Sequence, residues 1–298
     1  MQRLIVAVVL SGVAATSVVA QTTSAPEGKP FDWTGQIPAG GRLRISDVRG
    51  DIRVTAATGD RVVVHADVRS RGRHDAAIAF DVVPDGNTVA ICARWADGPP
   101  CTARGLHDDD HDDDGESAAA DFTVQLPRGL RIDVGTGNGR VEVAGTGSDV
   151  TASSGNGAVR VTDATGKVTA NSGNGEVTVE GAGGPVSATT GNGAVRAYTN
   201  AGPVNASSGN GNIDVRMQTL DARSDMSFNT GNGEVTVTVP ATFAAVLDAD
   251  TGHGSIRSDF PLQVDGRIDT SHLHAVIGTG GGRLHLTSGN GDLVLRKL

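Results

Sequence analysis

Aromatic side chains are scarce in this chain: they make up 3% of its residues, with one Tyr, two Trp and six Phe. That excludes a core built on stacked rings. Burial has to come from Val, Ile, Leu and Ala, with stability leaning on extended backbone hydrogen bonding. Basic charge is also short, 25 Lys and Arg against 34 Asp and Glu, for a net charge of −9. Affinity for nucleic acid comes largely from neutralising phosphates, so no nucleic-acid partner is expected. After the N-terminal segment no run of about 18 apolar residues occurs, which leaves no transmembrane segment in the mature chain. Cysteine occurs only as Cys92 and Cys101. A metal site needs more ligands than this pair gives, and in an oxidising compartment the two are expected to form one disulfide.

The N-terminus carries Arg3, an apolar run from Leu4 to Val13, and the small-residue stretch Val18-Val19-Ala20 before Gln21. This is the order of a secretory signal, over residues 1–20, and its apolar run is too short to span a bilayer. No Cys follows it directly, so no lipid-modified N-terminus is expected. The mature chain is expected to be exported, to the periplasm or the medium. Residues 21–30, rich in Thr, Ser, Pro and Gly, read as a linker.

Period-two alternation then begins, in segments such as Asp51-Ile52-Arg53-Val54 and Arg61-Val62-Val63-Val64-His65-Ala66. With Gly and Asp-Gly breaks between them, these predict strands. Residues 31–126 lack a strict beat and read as a less regular N-terminal β cap, of the kind a repeat array needs over its exposed edge. Within it, residues 97–120 form an acidic loop around His107-Asp108-Asp109-Asp110-His111-Asp112-Asp113-Asp114. Close like charges without apolar residues predict a solvated loop. Its imidazoles and carboxylates are metal-ligating types, but a loose loop binds weakly, and no metal is assigned.

From residue 127 to 298 the chain is dominated by Gly-X-Gly. The first five copies are Gly137-Asn138-Gly139, Gly155-Asn156-Gly157, Gly173-Asn174-Gly175, Gly191-Asn192-Gly193 and Gly209-Asn210-Gly211, on an unvarying 18-residue beat. A fixed period means one small unit stacked on itself. Between corners, Val177 and Val179 share one face, and Val186 and Ala188 repeat the pattern in a second segment. Two strand segments in 18 residues fit a coil that goes round once and lands on itself, each residue column rising about 4.8 Å per coil. The expected fold is all-β, a single-stranded parallel β-helix (solenoid). Antiparallel hairpins at Asn-Gly are the alternative, but they give no reason for identical residues at constant spacing. Gly and Asn both tolerate φ > 0, so the corner suits a chain reversal, and stacked Asn side chains could bond one another.

The beat loosens at Gly231-Asn232-Gly233, Gly252-His253-Gly254, Gly280-Gly281-Gly282 and Gly289-Asn290-Gly291, so residues 221–229 and 258–277 are expected to bulge or form irregular coils. The charges of Arg296-Lys297 in the final strand are expected to discourage end-to-end joining of solenoids. Several segments resemble the bacterial "putative adhesin" family of unknown function. They are Asp121-Phe122-Thr123-Val124 with Leu126-Pro127-Arg128-Gly129, Val239-Pro240, and Asp250-Thr251-Gly252-His253-Gly254-Ser255-Ile256 with Asp259-Phe260-Pro261. Ile277-Gly278 and Gly280 to Leu293 belong to the same set. The resemblance spans roughly residues 31–298 and implies a β-helix in an exported envelope protein with no established catalytic residues.

Each chemistry that Gly-X-Gly suggests meets an objection. A calcium ladder needs a carboxylate at one place in every turn, but the following residues are Arg140, Ala158, Glu176, Ala194, Asn212, Glu234 and Asp292. A phosphate cradle needs a helix behind the loop, and strands follow here. His272, His274 and His285 are expected to face outward and to lie near one another, as surface residues rather than ligands. The outward coil positions Arg160, Thr169, Thr178, Ser187, Arg196, Asn205 and Asp214 pair no carboxylates, and no nucleophile–base set stands out. The expectation is a non-enzymatic envelope-interaction module without cofactor, its partner an envelope or surface glycan or protein. A polysaccharide-degrading enzyme on a β-helix scaffold is the alternative.

Overall fold

The computed structural model describes residues 6–7, 21–23, 30–69, 78–106, 118–220, 223–264 and 271–298. The expected signal over residues 1–20 lies outside them, except for Val6–Ala7, a two-residue strand beside Trp33 and Thr34. Linker residues 24–29 and the acidic run His107–Asp114 also lie outside. Among the described residues every regular element is a strand. The chain divides into two compact units, one ending at Gly155 and the other beginning at Asn156.

In the second unit, β-branched and small residues alternate with polar ones, which favours a pleated, half-buried backbone. Strand Val168–Asn174 lies in one sheet, and after the corner Val177–Glu180 lies in another. The chain returns as Val186–Asn192, parallel to Val168–Asn174 and in register, with Val168 opposite Val186 and Ala170 opposite Ala188. The next coil repeats the offset, Val186 opposite Val204. In the facing sheet Val159, Val177, Val195, Ile213 and Val235 form the matching column. No member of these two columns is more than 2% exposed. Each such side chain contributes about 1.5–3 kcal/mol by leaving water. The expected parallel β-solenoid with 18-residue coils is what these pairings form.

Two readings of the C-terminal region change. Arg283–Asn290 does not follow the stack in sequence order: it lies between Met226–Asn232 and Ala245–His253, parallel to both. Leu293–Lys297 likewise lies between Val235–Val239 and Ile256–Ser258. The last strand is therefore internal, hydrogen-bonded on both sides, and Arg296 and Lys297 guard no edge. Met226–Asn232 is a regular strand with Phe228 opposite Ala206, not a bulge. Within 258–277 the departure from the coil is antiparallel pairing: His272–Ile277 runs against both Ala245–His253 and Leu262–Val264. Residues 221–222 and 265–270 lie outside the described set.

The first unit mixes parallel coils with antiparallel strands. Arg42–Arg49 pairs in parallel with Arg131–Asn138 on one side and Thr88–Trp95 on the other. In the other sheet Ile52–Ala56 lies between Val141–Ala144 and Ala119–Leu126. Antiparallel strands Phe31–Gly35, Val62–Arg69 and Ile78–Asp85 complete the unit. Here the irregular strands are filled by the few aromatics. Phe31 stacks on Phe80 with ring centroids 4.5 Å apart, and Phe122 meets Phe80 edge-on at 6.0 Å.

Candidate functional site

The Gly-Asn-Gly corner holds the repeated polar residues, and its geometry uses all of them. The first Gly and the Asn are the last two residues of a strand, as Gly191 and Asn192 are in Val186–Asn192. Only the second glycine turns: Gly157, Gly175, Gly193 and Gly211 have φ between 151° and 157°. The reversal thus needs no positive φ from Asn, contrary to the sequence reading. Both glycines are dictated by a close backbone. A Cβ on Gly191 would lie 2.5 Å from the Gly173 carbonyl oxygen, and one on Gly193 2.3 Å from that of Gly175. The asparagines form a side-chain ladder, Nδ2 to Oδ1, through Asn156, Asn174, Asn192, Asn210, Asn232 and Asn290 at 2.6–2.8 Å.

Sequence reading missed the residue before each corner. Leaving aside Gly280-Gly281-Gly282, whose preceding Thr279 is exposed, it is always an inward hydroxyl: Thr136, Ser154, Ser172, Thr190, Ser208, Thr230, Thr251 and Ser288. All eight are buried and face inward. Each donates to the carbonyl of the second corner glycine, or its equivalent Gly50, on the adjacent coil, at 2.7–3.0 Å. The alternation alone placed this column inward, and its unbroken Ser/Thr identity was the available signal. The corner is structural, and ligand chemistry has to be sought on the outer faces.

In the second unit those faces differ in charge. One sheet presents ion pairs: Arg160 to Glu180 at 2.8 Å, and Arg196 to Glu176. Arg196 holds the Glu176 carboxyl below its usual range, and accepting the Tyr198 hydroxyl at 2.6 Å lets Asp214 push that phenol up. Thr178, expected outward in solvent, is only 6% exposed because it donates to Glu176 beneath the Arg196 pair.

The other sheet is uncharged over four adjacent strands. Its outward positions are Thr169 and Asn171, Ser187 and Thr189, Asn205 and Ser207, and Ser227 and Asn229. Farther along, His285 and His274 flank Asp248 at 3.9 Å on each side, and His272 bonds Asp250. The three imidazoles thus lie beside aspartates of an intervening strand rather than against one another. Among the described residues no group of three or more such side chains is arranged to hold a metal ion.

The first unit carries a groove of about 630 Å³ on the outside of its sheet. Its floor is Ser46 and Val48, Gly135 and Gly137, and Ser153 and Gly155, from three adjacent strands. Its wall is the segment after Thr88–Trp95, with Trp95, Gly98, Pro99 and Leu106 lining the groove. That wall is tied down. Cys92 and Cys101 are disulfide-bonded, Asp81 bonds the Arg94 guanidinium at 2.7 Å and accepts the Cys101 N–H at 3.0 Å. Arg94 also donates to the carbonyls of Trp95, Ala96 and Gly98. Residues 97–106, read as part of a loose loop, are therefore an anchored strap.

No curated protein matches the chain. Two solved structures are similar to it. One, a putative cell adhesion protein from Clostridium sporogenes, is 11% identical over 91% of this chain and 100% of its own, with a TM-score of 0.29. The other, a putative adhesin from Bacteroides fragilis, is 14% identical over 92% of this chain and 99% of its own, with a TM-score of 0.49. The Toastrack DUF4097 family model matches residues 41–296, which takes in the buried hydroxyls of both units and the asparagine ladder of the second. With that span matched, the chain belongs to the Toastrack DUF4097 family.

Proposed function

We propose that this chain is a non-enzymatic, exported envelope-interaction module, adhesin-like, that holds an envelope or surface glycan or protein on the outer face of its coils. The observation that carries the reading is the uncharged sheet of the second unit. Thr169, Asn171, Ser187, Thr189, Asn205, Ser207, Ser227 and Asn229 repeat small hydroxyl and amide groups at coil spacing. The facing sheet pairs Arg160 with Glu180 and Arg196 with Glu176. On the uncharged side Ser227 donates its N–H to Asn205 and Asn229 donates to Ser227, while among the described residues Thr169, Asn171, Ser187, Thr189 and Ser207 spend no side-chain hydrogen bond on the protein. Shape supports a binding rather than a cleaving role, since glycosidases set two carboxyl groups about 5–9.5 Å apart across a bond. Among the described residues lining the groove of the first unit the one carboxylate is Asp47, which faces inward.

The test is to follow the full chain in cell fractions and to measure retention of the purified protein on envelope fragments. Secretion or periplasmic location with saturable retention is expected. Ser187→Lys with Ser207→Lys, placing charge at the centre of the face, should abolish retention without lowering Tm. A cytoplasmic location, or retention that ignores these substitutions, overturns the reading.

A further inference from the structure

We propose that the groove at Trp95 in the first unit binds an uncharged, linear oligosaccharide. The floor comes first. Its outward side chains are Ser46, Val48, Ser153 and three glycines, so nothing taller than valine interrupts a trough along the sheet. The place two residues before the corner, which is Asn171, Thr189 and Ser207 in the second unit, is Gly135 and Ser153 here, with Ser46 opposite Gly135. A Cβ on Gly135 would meet the Ser153 hydroxyl at 2.8 Å and backbone no nearer than 4.0 Å, so the backbone does not demand this glycine as it demands those of the corners. Its effect is to widen the trough.

The wall supplies the recognition chemistry. Trp95 is half-buried, and among the described residues no acceptor takes its indole N–H. A pyranose offers a C–H-rich face that packs on an indole and a rim of hydroxyls that exchange hydrogen bonds. Tryptophan, apolar in body and polar at one edge, suits both. The Cys92–Cys101 bond and the Arg94 contacts hold the strap before any ligand arrives, which reduces the ordering cost of binding. The groove volume, about 630 Å³, is within the ordinary 300–1,000 Å³ of small-ligand sites.

Charge and backbone pairing narrow the ligand class. Arg94 is consumed by Asp81 and three carbonyls, Arg49 has a partner of its own, and Asp47 faces the interior. Among the described residues lining the groove an acidic chain therefore finds no free cation. A peptide would seek a strand edge, but Arg42–Arg49 already has parallel neighbours on both sides.

The experiment titrates the full chain with maltohexaose, cellohexaose and chitohexaose, reading tryptophan fluorescence. Trp33 is 7% exposed and serves as a silent reference, so a change reports Trp95. At least one of the three is expected to give a saturable change that Trp95→Ala weakens tenfold or more, Trp95→Phe less, and Gly135→Gln comparably to Trp95→Ala. Unchanged Tm and circular dichroism in these variants keep the comparison interpretable. No saturable change with any of the three overturns the proposal, as does a response confined to polygalacturonate or to an unrelated peptide. If Trp95→Ala abolishes oligosaccharide binding but leaves retention on envelope fragments intact, the groove stands separately from the uncharged face of the second unit. If all three sugars fail while retention persists, the groove falls and that face stands.

Discussion

The Ser208 hydroxyl donates to the Gly193 carbonyl at 2.9 Å, from inside the solenoid and across one coil. Gly193 turns the chain at φ 151°, which directs its carbonyl into the interior where water does not follow. A buried carbonyl left without a donor costs about 1–3 kcal/mol. Ser208→Ala should therefore lower stability by that amount, a Tm drop of roughly 2–4 °C per kcal/mol for a chain of this size. Ser208→Thr should be close to neutral, because Thr190 and Thr230 hold the same place on neighbouring coils. Equal melting of the alanine variant and the parent would remove the hydroxyl column from the account of stability.

Glycine is not equally necessary everywhere, and a pair of substitutions separates the cases. Gly193→Ala puts a methyl 2.3 Å from the Gly175 carbonyl oxygen at a φ that side chains avoid, and both atoms are backbone. Strain and the shift of a coil should cost at least about 3 kcal/mol, at the severe end for a point substitution. Gly183→Ala meets its nearest neighbour at 3.4 Å, ordinary contact, and should shift Tm by no more than a degree or two. Urea denaturation of both variants tests the contrast, and similar midpoints would contradict it.

The coils were legible because one residue column repeats one physical demand: Val168, Val186 and Val204 must all be apolar, so period and inward face are written in the chain. The asparagine ladder was legible for the same reason. Insertion of Arg283–Asn290 between two earlier coils was not, since its corner residues would fit any place in the stack. The groove was the least legible. Ser46, Trp95 and Gly135 are each at least 40 residues from the next and follow no period, and they meet only through pairing of strands from different coils. A site made once leaves no period to read.

His65 lies between two carboxylates, its Nδ1 2.7 Å from Asp32 and its Nε2 3.2 Å from Asp67. The Asp32 bond raises the imidazole above its ordinary value, partly offset by burial. A raised folded-state pKa means that the contribution is complete below the unfolded value near 6.5 and is lost as pH rises through the folded one. At 37% side-chain exposure the pair is solvent-screened and contributes only a few tenths of a kcal/mol. His65→Gln should melt slightly below the parent at pH 5.5 and together with it at pH 9. A gap that widens toward pH 9 would reverse the sign and discard the pairing.

Asp47 stands where every later coil has a hydroxyl: it is opposite Thr136, is 4% exposed, and its Oδ2 has no hydrogen-bond partner. Burial pushes its carboxyl well above the ordinary range, and the charges of Asp121 and Asp51 add to the effect. The protonated form is thus the one the folded chain accepts. Stability is complete below the unfolded value of about 3.9 and falls as pH rises toward the folded pKa, beyond which the penalty for the buried charge is constant. Asp47→Ser restores the group found at Ser154 and Ser172 and removes the titration. The variant should gain about 1–3 kcal/mol over the parent at neutral pH, the scale of an unsatisfied buried polar group. The gain should shrink as pH falls to 4, where the parent's own carboxyl carries its proton. Thermal melts of both proteins from pH 4 to 8 measure the difference. A serine variant less stable than the parent at pH 7, or a difference flat across the range, would mean that this carboxyl is not held unpaired in the interior.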